Sequence, residues 1–498
     1  MDANTIRIET RDSIRIKLTA IQGPKPEDNR WYKIAQSAAR VAMMVRNVSV
    51  TYKNTYAMSI SGFRPEIGDM LGQTKGASGF APGLDFAFGM TGDSYINKAL
   101  DNGWLVSDSV VSPATTNAQE DLQIRMTLEP VRDLKIDLNA GRTRNKSNQI
   151  QFMYEGMPQI QSGNFNMTVI TIGSAFERRS ASNGYSSSSF NRFLGNLDII
   201  KNRIENMYAG VPYQGQSGLN QQPLYQVNKY SSDVMIPAFL AAYTGRSASN
   251  SALDLFPGIL SMMPNWRVTY SGLSKLEFFK KYFKSVTLNH AYRSTYSVGS
   301  YSTFQNFHSY MGDWGFVDDI QTGIPVPSSM YDVSAVSINE QFSPLLGVDV
   351  TFKNGITTKV EYKTTRILNL SLAANQIVES STKDFVLGMG YKIMGLELFP
   401  GRNKKDSKNK ISNDLALRMD VSFRNQSALA RDIQQVTTQA TSGNKALKIS
   451  FSADYTLSRL LSVSFYYDRQ KNTPLVSASS YPVTSADFGM RLKFSLTR

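Results

Sequence analysis

Residues 448–458, KISFSADYTLS, decide how this chain is read. Every second side chain is apolar or aromatic (Ile449, Phe451, Ala453, Tyr455, Leu457), with Lys448, Ser450, Ser452, Asp454, Thr456 and Ser458 between them. A period of two belongs to a β-strand with one apolar and one polar face. Residues 458–461 leave room only for a tight turn, after which Val463, Phe465 and Tyr467 alternate with Ser462, Ser464, Tyr466 and Asp468. A last run sets Ala486, Phe488, Met490, Leu492, Phe494 and Leu496 against Asp487, Gly489, Arg491, Lys493 and Ser495. Its length matches the roughly 9–11 residues that a tilted strand needs to cross a bilayer, where an ordinary strand has about 5–6. The pattern predicts an all-β fold, a transmembrane antiparallel β-barrel.

Composition agrees with that reading. The 498 residues are 41% hydrophobic with no uninterrupted apolar run of about 18, which excludes a helical membrane protein. A barrel hides its hydrophobicity in alternation, so a mean hydropathy of −0.28 does not count against one. Cysteine is absent, so there are no disulfides and no thiolate chemistry. The net charge of +14 raises nucleic acid as a partner, but Lys and Arg are scattered along polar strand faces, with one dense cluster at 402–410. An electrostatic footprint should be a patch or a stripe, so no nucleic-acid partner is expected. The opening MDANTIRIETRDSIRIKL has no apolar core of a signal peptide. A barrel chain that must first cross the inner membrane is therefore expected to be the downstream part of a longer protein.

Taken in order, residues 1–179 read as barrel strands with Gly/Pro-rich and short helical insertions. Residues 13–21 alternate, GPKPED breaks the pattern, and Trp31 to Val45 suits a helix. Val48, Val50 and Tyr52 alternate again; 62–93 is loop-like, and DSYINKALDNGW is a short helix ended by Gly103. These insertions should pack at a rim or inside the lumen. Strands are expected at 122–130, at 134–140 after a tight connection, and at 165–176. Residues 180–262 form one long excursion, with helical spacing at 186–207 and again at 233–243, the latter interrupted by Pro237. Long loops of this kind usually carry function.

Residues 263–498 read as the C-terminal barrel strands: 265–271, 283–302, 331–353, 356–376, 384–399, 412–424 and the terminal set. Asn354-Gly355 between two alternating runs is a strong hairpin signal. The whole chain gives about fourteen strands, within the range known for barrels. Connections at 470–485, 425–445, 377–383 and 303–330 are long, and those at 458–461 and 354–355 short, with 400–411 in between. That asymmetry is expected of outer-membrane barrels.

His290 shares a face with Leu288, Tyr292 and Tyr296, and His308 lies in a polar-aromatic stretch, so neither has metal-ligand spacing. GQTKGASGFAPG (72–83) lacks the phosphate-loop pattern, and Asp318-Asp319 is a lone acidic pair. No catalytic, cofactor-binding or metal residue is assigned. The tyrosines at 466, 467 and 481 fit an interfacial girdle or ordinary strand packing.

Several runs resemble the C-terminal part of the SprA/Sov family, outer-membrane translocons of the Bacteroidota type IX secretion system. They are VRNVSVTY (45–52), DNGWL (101–105), LEPVRDLKIDL (128–138), PAFLAAYTG (237–245), PNWRVTYSGL (264–273), NEQFSPLLGVD (339–349) and YPVTSADFGMRL (481–492). The resemblance implies a very large single-chain barrel in the bacterial outer membrane, exporting folded cargo proteins and supporting gliding motility where present. It also implies partners: secreted cargo, an outer-membrane shuttle barrel, a periplasmic plug protein and membrane lipid. In that picture Phe451, Tyr455, Phe488 and Leu492 face lipid, and no residue does chemistry. The chain departs from the family in its length and in ending Phe494-Ser-Leu-Thr-Arg498, without a terminal aromatic. Two other readings fit the alternation: a porin or nutrient receptor, for which 180–262 would be the plug, and a β-rich surface adhesin.

Overall fold

The computed structural model describes residues 43–494 apart from 67, 77–78, 93, 107–111, 154–158, 178–179, 210–226, 320–322, 397–412, 458–460 and 477–480. The strand expected at 13–21, most of the helix from Trp31, the 402–410 cluster and the last four residues lie outside them.

A fourteen-stranded antiparallel sheet dominates the described residues. Its first strands are β1 (Val45–Ser59), β4 (Ala114–Leu128), β5 (Leu134–Ile150) and β6 (Ile160–Thr168). They are followed by β8 (Phe283–Thr303), β13 (Ala335–Phe352), β14 (Ile356–Ser371) and β15 (Gln376–Ile393). The path ends with β16 (Leu415–Asp432), β17 (Thr437–Thr456), β18 (Leu461–Pro474) and β19 (Val483–Phe494). β7 (Asn265–Tyr270) and β12 (Tyr331–Val333) lie off this path. Among the described residues the order is an open one, with β1 paired only with β4 and β19 only with β18. Small pairs β2 (Thr74–Gly76) with β3 (Gly79–Ala81), and β9 (Phe307–Met311), β10 (Trp314–Asp318) and β11 (Pro325–Ser329), stand apart.

Side chains of paired residues in an antiparallel ladder share a face, so the registers trace each face across the sheet. Val286 pairs with Val350, Val350 with Thr358, Thr358 with Met389 and Met389 with Met419. Met419 then pairs with Phe451, Phe451 with Tyr467 and Tyr467 with Phe488. This row marks the apolar face. The opposite face carries Lys359, Glu361, Asp384, Asp420, Arg424, Ser452, Asp468 and Arg491, and is predominantly polar in this half of the sheet.

β6 and β7 share one lane between β5 and β8. β6 pairs with Arg142–Gln149 of β5 and β7 with Leu134–Asn139, and both also pair with β8. The lane is interrupted at mid-height, where the Met263 amide donates to the Thr168 carbonyl at 3.1 Å. Everything between those two residues is an insertion that leaves the sheet through the middle of a lane. It therefore begins earlier than the 180–262 excursion read from sequence and ends at the same residue. The strand expected at 165–176 stops at Thr168, and Ile172–Ala175 is a helical turn, because Thr171 turns out of the lane into a buried polar cluster.

The insertion holds α2 (Ser188–Met207) and α3 (Ser232–Thr244), after α1 (Tyr95–Asp101) of the earlier insertion. Ser187 caps α2 by accepting from the Phe190 amide, and one stripe of the helix is buried: Phe190, Phe193, Leu197, Ile200 and Ile204. α3 is apolar all round, runs through Pro237, and ends at Gly245 with φ +72°, a left-handed cap that glycine adopts without strain. It packs with α2 and with Phe165, Tyr296, Val298, Ile338, Leu368 and Leu370 of the sheet. Each fully buried side chain of that size contributes about 1.5–3 kcal/mol.

The registers place those sheet residues on the apolar face, since Val298 pairs with Val336, Val336 with Leu370 and Leu370 with Ile377. The earlier insertion does the same near β1, where Tyr95, Ile96 and Trp104 pack with Met58, Ala114 and Ile150. Both insertions thus sit at one end of the sheet, here the upper end, on the apolar face and not on the polar one. The earlier insertion, expected at a rim or inside the lumen, packs on the apolar face at that end.

The connections also differ from expectation. At the upper end β14–β15 and β16–β17 turn within 372–375 and 433–436, because the strands run on through stretches that looked like loops. At the lower end the β15–β16 connection occupies 394–414, the longest there. The 303–330 stretch contains the β9–β11 sheet. The long/short alternation of loops does not hold along this half of the chain.

Candidate functional site

The apolar face has two parts of different chemistry, one above the other. In the lower part, β15 presents Ile393, Tyr391, Met389, Leu387 and Phe385, then Lys383. β16 presents Leu415, Leu417, Met419, Val421 and Phe423, then Asn425, and β17 presents Tyr455, Ala453, Phe451, Ile449 and Leu447, then Lys445. The polar residues that end these runs are paired neighbours: Thr364 with Lys383, Lys383 with Asn425, Asn425 with Lys445. Five apolar side chains therefore form a belt with one straight upper edge.

Eight residue steps at about 3.4 Å make about 27 Å of strand, or about 20 Å of height at a tilt of about 40°. A membrane barrel shows an apolar band about 25 Å tall. Phe451 lies in the middle row of the belt and is 42% exposed; Phe488 at the β19 edge is 86% exposed. Leu492 is exposed as well, whereas Tyr455 is buried at the lower rim, its hydroxyl donating to the Leu396 carbonyl at 2.8 Å. Of the four residues expected to face lipid, Tyr455 is the exception, buried with its hydroxyl on Leu396.

Above the belt the same face carries four buried charges on neighbouring strands: Glu340 of β13, Arg366 of β14, Glu379 of β15 and Arg431 of β16. They alternate in sign and join in series. Arg366 Nη2 lies 2.8 Å from Glu340 Oε2, Arg366 Nη1 lies 4.0 Å from Glu379 Oε1, and Arg431 Nη2 lies 3.1 Å from Glu379 Oε2. Each arginine also reaches into the insertion. Arg366 donates to the Ser174 carbonyl and Oγ, both at 2.7 Å, and Arg431 donates to the Tyr185 carbonyl at 2.8 Å. Glu340 accepts from Thr171 Oγ1 at 2.6 Å and from the Tyr292 hydroxyl at 3.0 Å. Their rings of contact close with Arg366 over Tyr243 and Arg431 over Phe190.

Such a series clamps the insertion in one position. A buried ion pair adds little stability over an apolar pair of the same shape, but its hydrogen-bond directions admit one arrangement. Two further carboxylates fix the helices. Burial alone would raise the Glu177 carboxyl, but the hydroxyls of Ser187, Ser188 and Ser189 and the Ser189 amide outweigh it and hold the pKa down at about 2. Asp233, at the start of α3, accepts from the Ser329 amide and from the hydroxyls of Ser328 and Ser329. Its full burial nonetheless raises its pKa above the ordinary carboxylate value.

Sequence reasoning missed the clamp. Its signal was a charge in phase with apolar neighbours: Val336, Ile338, Glu340, Phe342 on β13, and Arg366, Leu368, Leu370 on β14. The histidines stay apart. His290 Nδ1 lies 2.7 Å from the Leu345 carbonyl beside Trp266, and His308 Nε2 lies 3.1 Å from Asp318 Oδ2 in the β9–β10 pair. Within 72–83, β2 pairs with β3, and Gln73 exchanges hydrogen bonds with the Gly83 backbone. Among the described residues no three His, Cys, Asp or Glu gather as a metal site, and no helix is long and apolar enough to cross a membrane.

No family model matches the sequence, and a search of curated proteins finds no match. Among solved structures the chain is similar to in-vitro folded OmpT, an outer membrane protein of Vibrio cholerae in its trimer form, at 9% identity. That likeness covers 90% of this chain and 99% of the other with a TM-score of 0.20, too low to carry an argument.

Proposed function

We propose that this chain forms part of the wall of a protein-conducting channel in a bacterial outer membrane, as its resemblance to the SprA/Sov family implies. The observation that carries the reading is the belt: a bare apolar band of membrane height on one face of the sheet, backed by a polar face. Lipid would meet Phe451, Phe488 and Leu492. Water and passing cargo would meet the polar face, where Lys359, Glu361 and Lys363 and the Arg424–Asp384 pair alternate in sign. Mixed exposed charges stay hydrated and offer a folded protein no apolar patch to adhere to. The shuttle barrel and the plug protein remain partners implied by the family alone.

The insertion favours a channel over a plugged nutrient receptor. It lies on the belt's own face, so among the described residues it does not obstruct the polar side. A surface adhesin has no use for a bare apolar belt and should leave the membrane pellet with carbonate, whereas this protein should require detergent. The decisive test uses single cysteines in a chain that has none. During stalled export Ser452→Cys should crosslink to cargo, while a fluorophore on Phe451→Cys should be quenched by doxyl lipid and should not crosslink. Crosslinking from position 451, or its absence at 452, would overturn the assignment of faces.

A further inference from the structure

At the lower end of the sheet, the residues leading into β8 build a small feature that neither the strand pattern nor the clamp accounts for. α4 (Glu277–Tyr282, EFFKKY) buries none of its residues. Phe278 is 72% exposed, and Leu276 and Tyr282 beside it are exposed too. Its rings are not scattered. Phe278 meets Phe279 and Tyr282, Phe279 meets Phe283, and Phe283 meets Phe352, with centroids 4.9–6.0 Å apart. Phe283 and Phe352 are paired one row below Val286 and Val350, at the lower ends of β8 and β13, so this aromatic chain is continuous with the belt at its lower margin. The Lys353 amide donates to the Tyr282 carbonyl at 3.2 Å, tying the helix to the β13–β14 turn.

Around the rings stand Lys280, Lys281, Lys284 and Lys353, all exposed, with Glu277 the one acid among residues 276–284. None of the four lysines makes an ion pair among the described residues, although Lys281 lies over the Tyr282 ring. Exposed aromatics beside unpaired lysines, continuous with an apolar band, are the chemistry of a headgroup layer. The rings sit at the boundary of the acyl chains, and the ammonium groups reach the phosphates.

We infer that 276–284 is an interfacial anchor that binds anionic phospholipid headgroups at the lower margin of the belt. This inference rests on the belt being membrane-embedded. Phospholipid is the source chosen because both large insertions lie at the other end, and the less elaborated side of an outer-membrane barrel faces the periplasm and its phospholipid leaflet.

The test reconstitutes the whole chain in phosphatidylcholine bilayers with and without phosphatidylglycerol, carrying an environment-sensitive fluorophore on Phe278→Cys or, separately, on Phe488→Cys. A shallow doxyl lipid should quench position 278 at least twofold more when phosphatidylglycerol is present. Combined Lys280→Gln, Lys281→Gln and Lys284→Gln should abolish that difference, and because these side chains are exposed the fold should survive. Quenching at 488 without quenching at 278 would overturn the anchor and leave the belt standing. Quenching at 278 that ignores both phosphatidylglycerol and the lysines would overturn the charge recognition. No quenching at 488 would remove the belt and the anchor together.

Discussion

The two halves of the apolar face belong to the same strands and the same ladders, yet one is exposed and, on β15, β16 and β17, free of charge, while the other is covered and holds four buried charges. β14 shows the change within one strand: Val360 belongs to the belt, and Arg366, Leu368 and Leu370 lie under the insertion. The difference lies in what stands opposite. Over the upper half the insertion supplies Ser174, Tyr185 and Thr171 as hydrogen-bond partners for the buried guanidinium and carboxylate groups, which offsets the cost of burying them. Over the lower half β15, β16 and β17 carry no charged group between the belt's two edges, and the charges that enter its upper rows on β18, Arg469 and Lys471, are exposed. Buried charge on this face is found where the insertion provides its partners.

The largest effect should come from breaking the clamp. Glu379→Ala leaves Arg431 and Arg366 short of their shared carboxylate, and removing one partner of a buried series costs about 3–5 kcal/mol. Hydrogen exchange should then show α2 and α3 opening while the belt strands stay protected. Equal loss of protection in both halves would mean that they fold as one unit. Next, Phe451→Arg in the middle row should cost about 2–4 kcal/mol on refolding into lipid, and Ser452→Arg on the opposite face much less. Equal costs would erase the contrast between faces.

A smaller effect is expected at Glu177, where Glu177→Gln removes a charged acceptor of several hydrogen bonds and should cost about 1.5–3 kcal/mol, read as protease sensitivity of α2. Its pH dependence has a definite sign. The folded carboxyl titrates near about 2, below its ordinary value, so its contribution is fully present above the ordinary range and is lost as the pH falls toward 2. Asp233 is opposed: its raised pKa means that ionisation disfavours the folded insertion, so its effect works against stability as the pH rises through that range. Acid opening of α2 should therefore weaken in Glu177→Gln, and an unchanged acid profile would remove Glu177 as its cause. The smallest effect concerns the lower hairpin of the belt, where Gly355 has φ +88°. Gly355→Ala should cost about 1–2 kcal/mol by thermal unfolding without moving either half of the face. A larger loss would show that the turn sets the register of the whole belt.

Alternation alone determined the all-β class, the strands of the belt and the side of the sheet on which Phe451 and Phe488 lie, because a period of two needs no partner to be visible. The helices at 188–207 and 232–244 were equally plain from their apolar spacing and composition. The upper reaches of β15, β16 and β17 were not, since Lys383, Asn425 and Lys445 replace apolar residues there and the two faces become alike in sequence. Tertiary structure decided what the long excursion covers. A sequence shows that Glu340, Arg366, Glu379 and Arg431 are charged, but their burial, their order in series and their grip on Ser174 and Tyr185 arise only when register brings four strands side by side. Each of those bonds joins residues far apart in the chain, and short-range periodicity carries no information about which distant segment will satisfy a buried charge.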